Sequence, residues 1–345
     1  MSNAPKKVLV VRNDKLGDFM LAFPAFQVLK NSLPGVSLTA LVPPYTQEMA
    51  QACSAIDEII IDPGPQAPWQ EQRDLIRQIK KANFDAAVTL FSTTRIGFEL
   101  FLARVPYRLA PATKAAQVFY NHRLIQRRSR SEKPEFEYNN DLIKKLLEDF
   151  DVDVQPAVPP YLQFPMHVVE RLRNAFCSEH QLHPEHLLIF IHPGSGGSAN
   201  NLSVEQYAML AQQLAINVNV SVVVTAGPKE LTIAQDLASR LQAIPHAIYH
   251  STEGLTAFSQ HIQFADLFIS SSTGPLHIAG ALNVPTAGFY TRRRSATSLR
   301  WQTLNSPDKR LAFSPPEAVG ETDMSAIDIP AAAEAIRGKF LSGKN

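Results

Sequence analysis

The chain has almost no cysteine. Across 345 residues only Cys53 and Cys177 occur, each among apolar or helical neighbours, which excludes a disulfide framework and a thiolate metal site. No apolar run is long enough to span a bilayer, and Met1 to Lys7 leads into a strand without the apolar region of a signal peptide. A cytoplasmic location is therefore expected. Net charge is nearly absent: 33 Lys and Arg stand against 32 Asp and Glu, +1 overall, which argues against a general polyanion binder such as a nucleic-acid protein. Two phosphate-binding motifs are also missing. No G-x-G-x-x-G follows the first apolar strand, and the Gly-rich turn at 192–198 lacks the Lys-Ser/Thr ending of a P-loop, so dinucleotide and Walker-type readings both lose ground.

What is present reads as alternating strands and helices. A hydrophobic share of 45% with 19% charged residues supports a large core, and the length predicts two domains. Lys7 to Val11 is too continuously apolar for a one-sided sheet and is expected to be a central parallel strand. Further βα units are read from Ser37 to Val42, Glu58 to Ile61 and Asp85 to Leu90, with a helix over Gln70 to Ala82. A helix from Tyr138 to Phe150 leads into the Pro-rich run Val152 to Pro165, which is read as a linker.

A second series follows. Its expected strands are Leu187 to His192, Val220 to Thr225, Asp266 to Ile269 and Thr286 to Tyr290. Its helices are Met166 to His180, Ser203 to Ala215, Lys229 to Gln242, Pro275 to Leu282 and a last one over Pro330 to Leu341, with Pro in its first turn. The predicted fold class is α/β, with two Rossmann-like doubly wound domains, 1–160 and 161–345, facing a central cleft. The last helix, 330–342, is given the option of packing back toward the N-terminal domain.

Ligands of open α/β sheets sit beyond the C-terminal ends of the strands, so the turns there are the informative ones. In the second half there are three: His192 to Ser198, Thr225 to Glu230, and Ser270 to Pro275, the last opening a helix that contains His277. Small and hydroxyl residues let a phosphate approach backbone N–H groups that lack partners at a helix start. Each turn alone reads equally well as a capped βα turn; their coincidence at one sheet edge points to a ligand. In the first half, Asp18 beside Gly17 is read as a helix cap or as a general base, with Asp14 as the competing carboxylate. From Arg104 to Arg130 the chain is basic without an acidic residue. It reads either as a solvated loop or as a surface for an anionic partner, with Tyr107, Phe119 and Tyr120 available to stack on sugars.

Four stretches together resemble a known family. Val10 to Pro24 (VVRNDKLGDFMLAFP), His192-Pro193-Gly194-Ser195-Gly196, Gly227-Pro228-Lys229-Glu230, and Ser272 to Leu282 ahead of Val284-Pro285 are similar, in that order, to the glycosyltransferases of family 9, the lipopolysaccharide heptosyltransferases. The resemblance implies a GT-B fold and an inverting, metal-independent transfer of heptose from ADP-heptose to the inner core of lipopolysaccharide. It implies no cofactor beyond the nucleotide-sugar substrate, and peripheral contact with the inner membrane as a further expectation.

By that resemblance Asp18 is the base and Glu230 holds the nucleotide ribose. The candidate donor contacts are Gly17, His192, Gly194, Ser195, Gly196, Gly227, Glu230, Ser272, Thr273, Gly274, Pro275 and His277; the candidate acceptor contacts are Arg123, Arg127, Arg128 and Arg130. Two positions depart from the family pattern: Ser272 where many members carry Asp, and Asn200 where they carry a phosphate-contacting Lys. These departures keep two alternatives open, a transferase using another nucleotide sugar for a different surface glycan and a catalytically degenerate nucleotide- or glycan-binding relative.

Overall fold

Strand β1, Lys7–Val11, is buried at every residue but its first, as a strand flanked on both sides and covered on both faces must be. A computed structural model describes residues 4–112, 115–197 and 200–342, so Lys114 and Ser198 lie outside the described residues. The chain divides into the units Met1–Tyr161 and Leu162–Asn345. In the first, β1 is followed by α1 (Leu16–Met20), α2 (Phe23–Ser32), β2 (Ser37–Val42), α3 (Gln47–Ala52), β3 (Glu58–Ile61), α4 (Trp69–Ala82), β4 (Ala86–Thr89), α5 (Thr94–Leu102), β5 (Tyr107–Pro111), β6 (His122–Leu124) and α6 (Glu135–Asp149). The six strands pair in parallel in the order β3-β2-β1-β4-β5-β6. Strand order reverses between β1 and β4, which opens a crevice beyond the C-terminal end of β1.

The second unit repeats the plan. It contains α7 (Met166–Glu179), β7 (Leu187–His192), α8 (Val204–Leu214), β8 (Val220–Ala226), α9 (Leu231–Ser239), β9 (His246–His250), α10 (Leu255–Gln263), β10 (Leu267–Ser271), α11 (Gly274–Ala281), β11 (Thr286–Phe289), β12 (Arg310–Phe313) and α12 (Ile329–Ile336). Its parallel sheet runs β12-β11-β10-β7-β8-β9. Here the reversal lies between β7 and β10, and the register sets Ser270 opposite His192. Two of the three turns singled out in the sequence therefore flank that switch point. No helix among the described residues is long and apolar enough to cross a membrane.

Several elements differ from the sequence reading. The basic segment is not one loop: β5 and β6 extend the first sheet through it. Their short or charged sequences hide the alternation that marks a strand, and β9 and β12, also at sheet edges, are concealed in the same way. Tyr107 and Tyr120 are buried, Tyr107 donating to Asp149 Oδ2 at 2.8 Å and stacking on His122, so neither ring is available to a sugar.

The last helix is anchored within its own unit. Ile329, Ala332, Ala333 and Ile336 of α12 are buried in the second unit's core with Leu210, Ala211 and Leu214 of α8. Ile336 is fully buried, and Ile336→Ala is expected to destabilise the chain by about 2–4 kcal/mol, read as a lower midpoint in denaturant unfolding. An unchanged midpoint would show that the helix adds nothing to that core.

Candidate active site

Beyond β1, the chain turns at Arg12, and this arginine is 1% exposed. A buried guanidinium must be neutralised where it sits. Its Nε donates to Asp14 Oδ1 at 2.7 Å and its Nη2 to Asp18 Oδ1 at 2.6 Å. Its Nη1 donates to Glu135 Oε1 and Asn139 Oδ1, each at 3.1 Å. Both of the latter lie on α6, and Asn139 also donates to Leu21 O at 3.0 Å. Strand, α1 turn and distant helix thus close on one cation.

Arg128 joins the cluster, donating from Nη1 to Glu135 Oε1 at 2.7 Å. Three carboxylates then face two guanidinium groups. Burial pushes Asp14 up to about 6 against the pull of Arg12. Asp18 is likewise raised, by burial first and by the nearby Glu135 charge, with Arg12 and Lys15 opposing. Asp18 is 16% exposed, and its Oδ2 has no hydrogen-bond partner among the described residues. One oxygen is fixed and the other is open, the geometry of an oriented base.

At the same edge, Asp62 follows β3 and accepts from Asn13 Nδ2 at 2.5 Å, Arg95 Nη2 at 2.6 Å and the Gly64 amide at 2.9 Å. It ties the turn after β1 to the start of α5.

In the second unit the three turns are joined by side chains. Glu230, last residue of the turn after β8, accepts from the amides of Gly196 at 2.9 Å and Gly227 at 3.0 Å. Its Oε2 lies 3.4 Å from His192 Nε2. A Cβ at Gly194 would fall 2.3 Å from the Glu230 carboxyl carbon, so only glycine leaves room for this carboxylate. Gly196 and Gly197 have positive φ, 52° and 75°, the region where glycine carries no penalty. A negative group therefore already rests on the amides of two turns, which demonstrates the preference of that nest for an anion.

His192 is fully buried and its pKa is lowered by that burial, its Nδ1 meeting Thr225 Oγ1 at 3.0 Å. Ser270 Oγ donates to His192 O at 3.1 Å and meets Thr273 Oγ1 at 3.0 Å. The Thr273 hydroxyl thus turns sideways and does not cap α11. His277, one turn into α11, is buried with its pKa lowered to about 4, and its Nδ1 has no partner. Burial thus keeps the imidazole neutral inside the start of this helix.

The candidate acceptor arginines separate. Arg123, Arg127 and Arg130 are exposed, Arg130 beside Glu132 at 3.5 Å. Arg128 is 14% exposed and is bound to Glu135 and Gln126, its guanidinium 5.6 Å over Tyr138. It belongs to the support of the Arg12 cluster. Gly274 and Pro275 begin α11, Ser272 precedes its N-cap Thr273, and Gly17 sits within α1 beside Asp18.

Residues 72–307 match the family described as glycosyltransferase family 9 (heptosyltransferase). The chain belongs to glycosyltransferase family 9. This family 9 chain is 47% identical over 311 residues, 90% of each chain, to a Haemophilus influenzae protein that carries only a provisional name, glycosyltransferase. It is 23% identical over 291 residues, 82% of each, to lipopolysaccharide heptosyltransferase 2 of Salmonella typhimurium. Among solved structures it superposes on E. coli ADP-heptose lps heptosyltransferase II with a TM-score of 0.78 at 18% identity, covering 98% of this chain and 100% of that one. The fold is GT-B, built from two Rossmann-like units.

Sequence reasoning missed the groups that hold Asp18. Arg12, Glu135 and Asn139 are brought together across more than a hundred residues, and the only local signal was a charged residue directly after a strand with no surface role. The departures have definite surroundings. Asn200 is exposed and donates to Thr322 O at 3.3 Å. Among nearby cations, Arg292 donates from Nη2 to Val319 O at 2.7 Å and Glu317 O at 3.2 Å, while Lys229, Arg293 and Arg294 are exposed.

The glycine contact makes a specific prediction. Gly194→Ala is expected to destabilise the parent by displacing Glu230, but to be nearly neutral when Glu230 is already Ala. A double-mutant cycle in denaturant should return a coupling of about 1–2 kcal/mol; full additivity would place the carboxylate elsewhere.

Proposed function

We propose that this family 9 glycosyltransferase moves a heptose from ADP-heptose to the inner core of lipopolysaccharide, with inversion and with Asp18 as general base. The observation that carries the donor half is the linkage of three amide-bearing turns at the β7–β10 switch point through Glu230, His192 and Ser270. The base half rests on Asp18, held by one oxygen with the other open.

In this reading the free Asp18 oxygen takes the proton from an acceptor hydroxyl. The hydroxyl oxygen attacks the anomeric carbon as the bond to the diphosphate breaks on the opposite face. Charge grows on the departing diphosphate, and the uncapped amides at the start of α11, with the Ser272 hydroxyl beside them, offer donors at that point. No step is routed through a metal. Glu230 would leave the Gly196 and Gly227 amides and accept from the ribose hydroxyls, so that donor entry exchanges one anion on the nest for another. Exposed Arg123, Arg127 and Arg130 would meet acidic and phosphate groups of the acceptor.

A different nucleotide sugar is the second reading. It is favoured by Ser272 and by Asn200, whose amide is engaged with Thr322, since both change the charge around a bound donor. Nucleotide release from a panel of ADP- and UDP-sugars with deacylated core acceptor separates the two readings.

The pH behaviour is specified by the cluster. A base must be ionised to act, so activity should rise with pH through the raised pKa of Asp18 and be lost as pH falls through it. Removing the Glu135 charge lowers that pKa, so Glu135→Gln is expected to move the acid limb of kcat/KM to lower pH, and an unmoved limb would separate Glu135 from the base. Asp18→Asn should reduce kcat by roughly 10²–10⁴ while donor affinity stays near the parent value. A variant as active as the parent would end the base assignment.

A further inference from the structure

The chain beyond β2 is stiff. Pro43 and Pro44 hold their own φ angles, and the amide and the hydroxyl of Thr46 both donate to the Pro43 carbonyl oxygen, at 3.1 and 3.2 Å. Tyr45 stands inside this single helical turn, Pro44–Thr46. Its hydroxyl donates to the carbonyl oxygen of Asp14, in the turn after the neighbouring strand β1. The phenol is tethered at its tip, yet the residue remains 56% exposed. A ring anchored in this way and left open to solvent offers a rigid apolar face that loses little freedom when something packs on it.

That face adjoins the proposed base. Burial raises the Tyr45 pKa, and the charges of Asp14 and Asp18 raise it further, so the ring lies within the field of the carboxylate whose second oxygen is open. On the other side of β1, the chain leaves β4 through Leu90, whose amide donates to Val11 O at 3.0 Å, and reaches Phe91, which is 47% exposed. Two open aromatic residues thus flank the turn after β1 along the sheet edge. A pyranose carries hydroxyls around its rim and C–H bonds on its faces. One face can pack on an aromatic ring while a rim hydroxyl meets a polar group, the usual composition of a small-ligand site. The amides of the second unit hold an anion; a platform beside the base suits the substrate that gives up a proton.

We propose that Tyr45 is the platform on which an acceptor pyranose stacks, its tethered ring setting the position at which a sugar hydroxyl meets Asp18. The inference rests on the reading of Asp18 as the base and adds to it the residue that aims the acceptor.

The test is titration of the full chain, without donor, with deacylated lipopolysaccharide core oligosaccharide and separately with ADP. Tyr45→Ala is expected to weaken oligosaccharide binding by about tenfold and to leave ADP binding at the parent value, which also reports that the variant is folded. Tyr45→Phe keeps the ring and loses the tether, and should bind the oligosaccharide within about threefold of the parent. In turnover with ADP-heptose, the loss in Tyr45→Ala should fall on KM for the acceptor rather than on kcat. A residue that merely supported Asp14 would lower kcat, and Tyr45→Phe would be damaged as much as Tyr45→Ala. The proposal is overturned by a parent that binds no oligosaccharide, by a Tyr45→Ala chain that binds it like the parent, or by equal losses in the two variants. Weakened ADP binding in Tyr45→Ala overturns it too, since the ring would then carry a nucleobase. The transfer reading fails differently: a parent that binds the oligosaccharide through Tyr45 but releases no ADP from ADP-heptose would remove the reaction and leave the platform.

Discussion

Much of the first unit is arranged by the need to neutralise one arginine. Arg12 ends the central strand, where its guanidinium is removed from water, and an uncompensated buried charge there would be strongly destabilising. Asp14, Asp18, Glu135 and Asn139 answer it with four hydrogen bonds at 2.6–3.1 Å. Those partners come from the turn, from α1 and from α6, so the same contacts that satisfy the charge fix the relative positions of three elements. Compensation overshoots: with Arg128 the cluster holds two cations and three carboxylates. Burial first, and the neighbouring carboxylates after it, keep Asp14 and Asp18 above the ordinary carboxylate range. Stability and basicity therefore share one cause.

The second unit solves the complementary problem. Its turns present amides without internal partners, and the Glu230 carboxylate supplies the missing acceptor at Gly196 and Gly227. Gly194 makes the space, and His192 and Ser270 lock the neighbouring strands at the switch point. The consequence is a nest whose preference for an anion is satisfied internally. One unit holds a carboxylate with one oxygen open, and the other two turn amides that hold a carboxylate; under the proposed function the first is the base and the second the donor site.

How far this could be read in advance depended on whether the cause was local. β1, β7, β8 and β10 are predominantly apolar, and the Gly-rich and hydroxyl-rich turns after them announce close backbone approach, so the strands at the centre of each sheet were legible. Asp18 was legible because it lies beside Gly17 at a helix start. Arg12 was not, because its partners lie up to 127 residues away and a lone Arg after a strand carries no pattern. The strands within 104–130 were not legible for a related reason: β6 is a three-residue edge strand of His, Arg and Leu, too short for periodicity, and Arg108 and Arg128 turn their guanidinium groups inward. Tyr45 stayed hidden because the two prolines before it break any periodicity and its contact with Asp14 joins two separate turns.

The proposed chemistry depends on the protonation of one side chain, and NMR can read it directly from selectively carbon-13-labelled aspartate. Titration of the Asp18 carboxyl carbon, assigned by its loss in Asp18→Asn, should give a midpoint above the ordinary aspartate range, about 3.9 in model peptides. A midpoint at or below that value would mean that Arg12 outweighs burial and the neighbouring carboxylates, leaving Asp18 a structural counter-ion and the proposed base without its basicity.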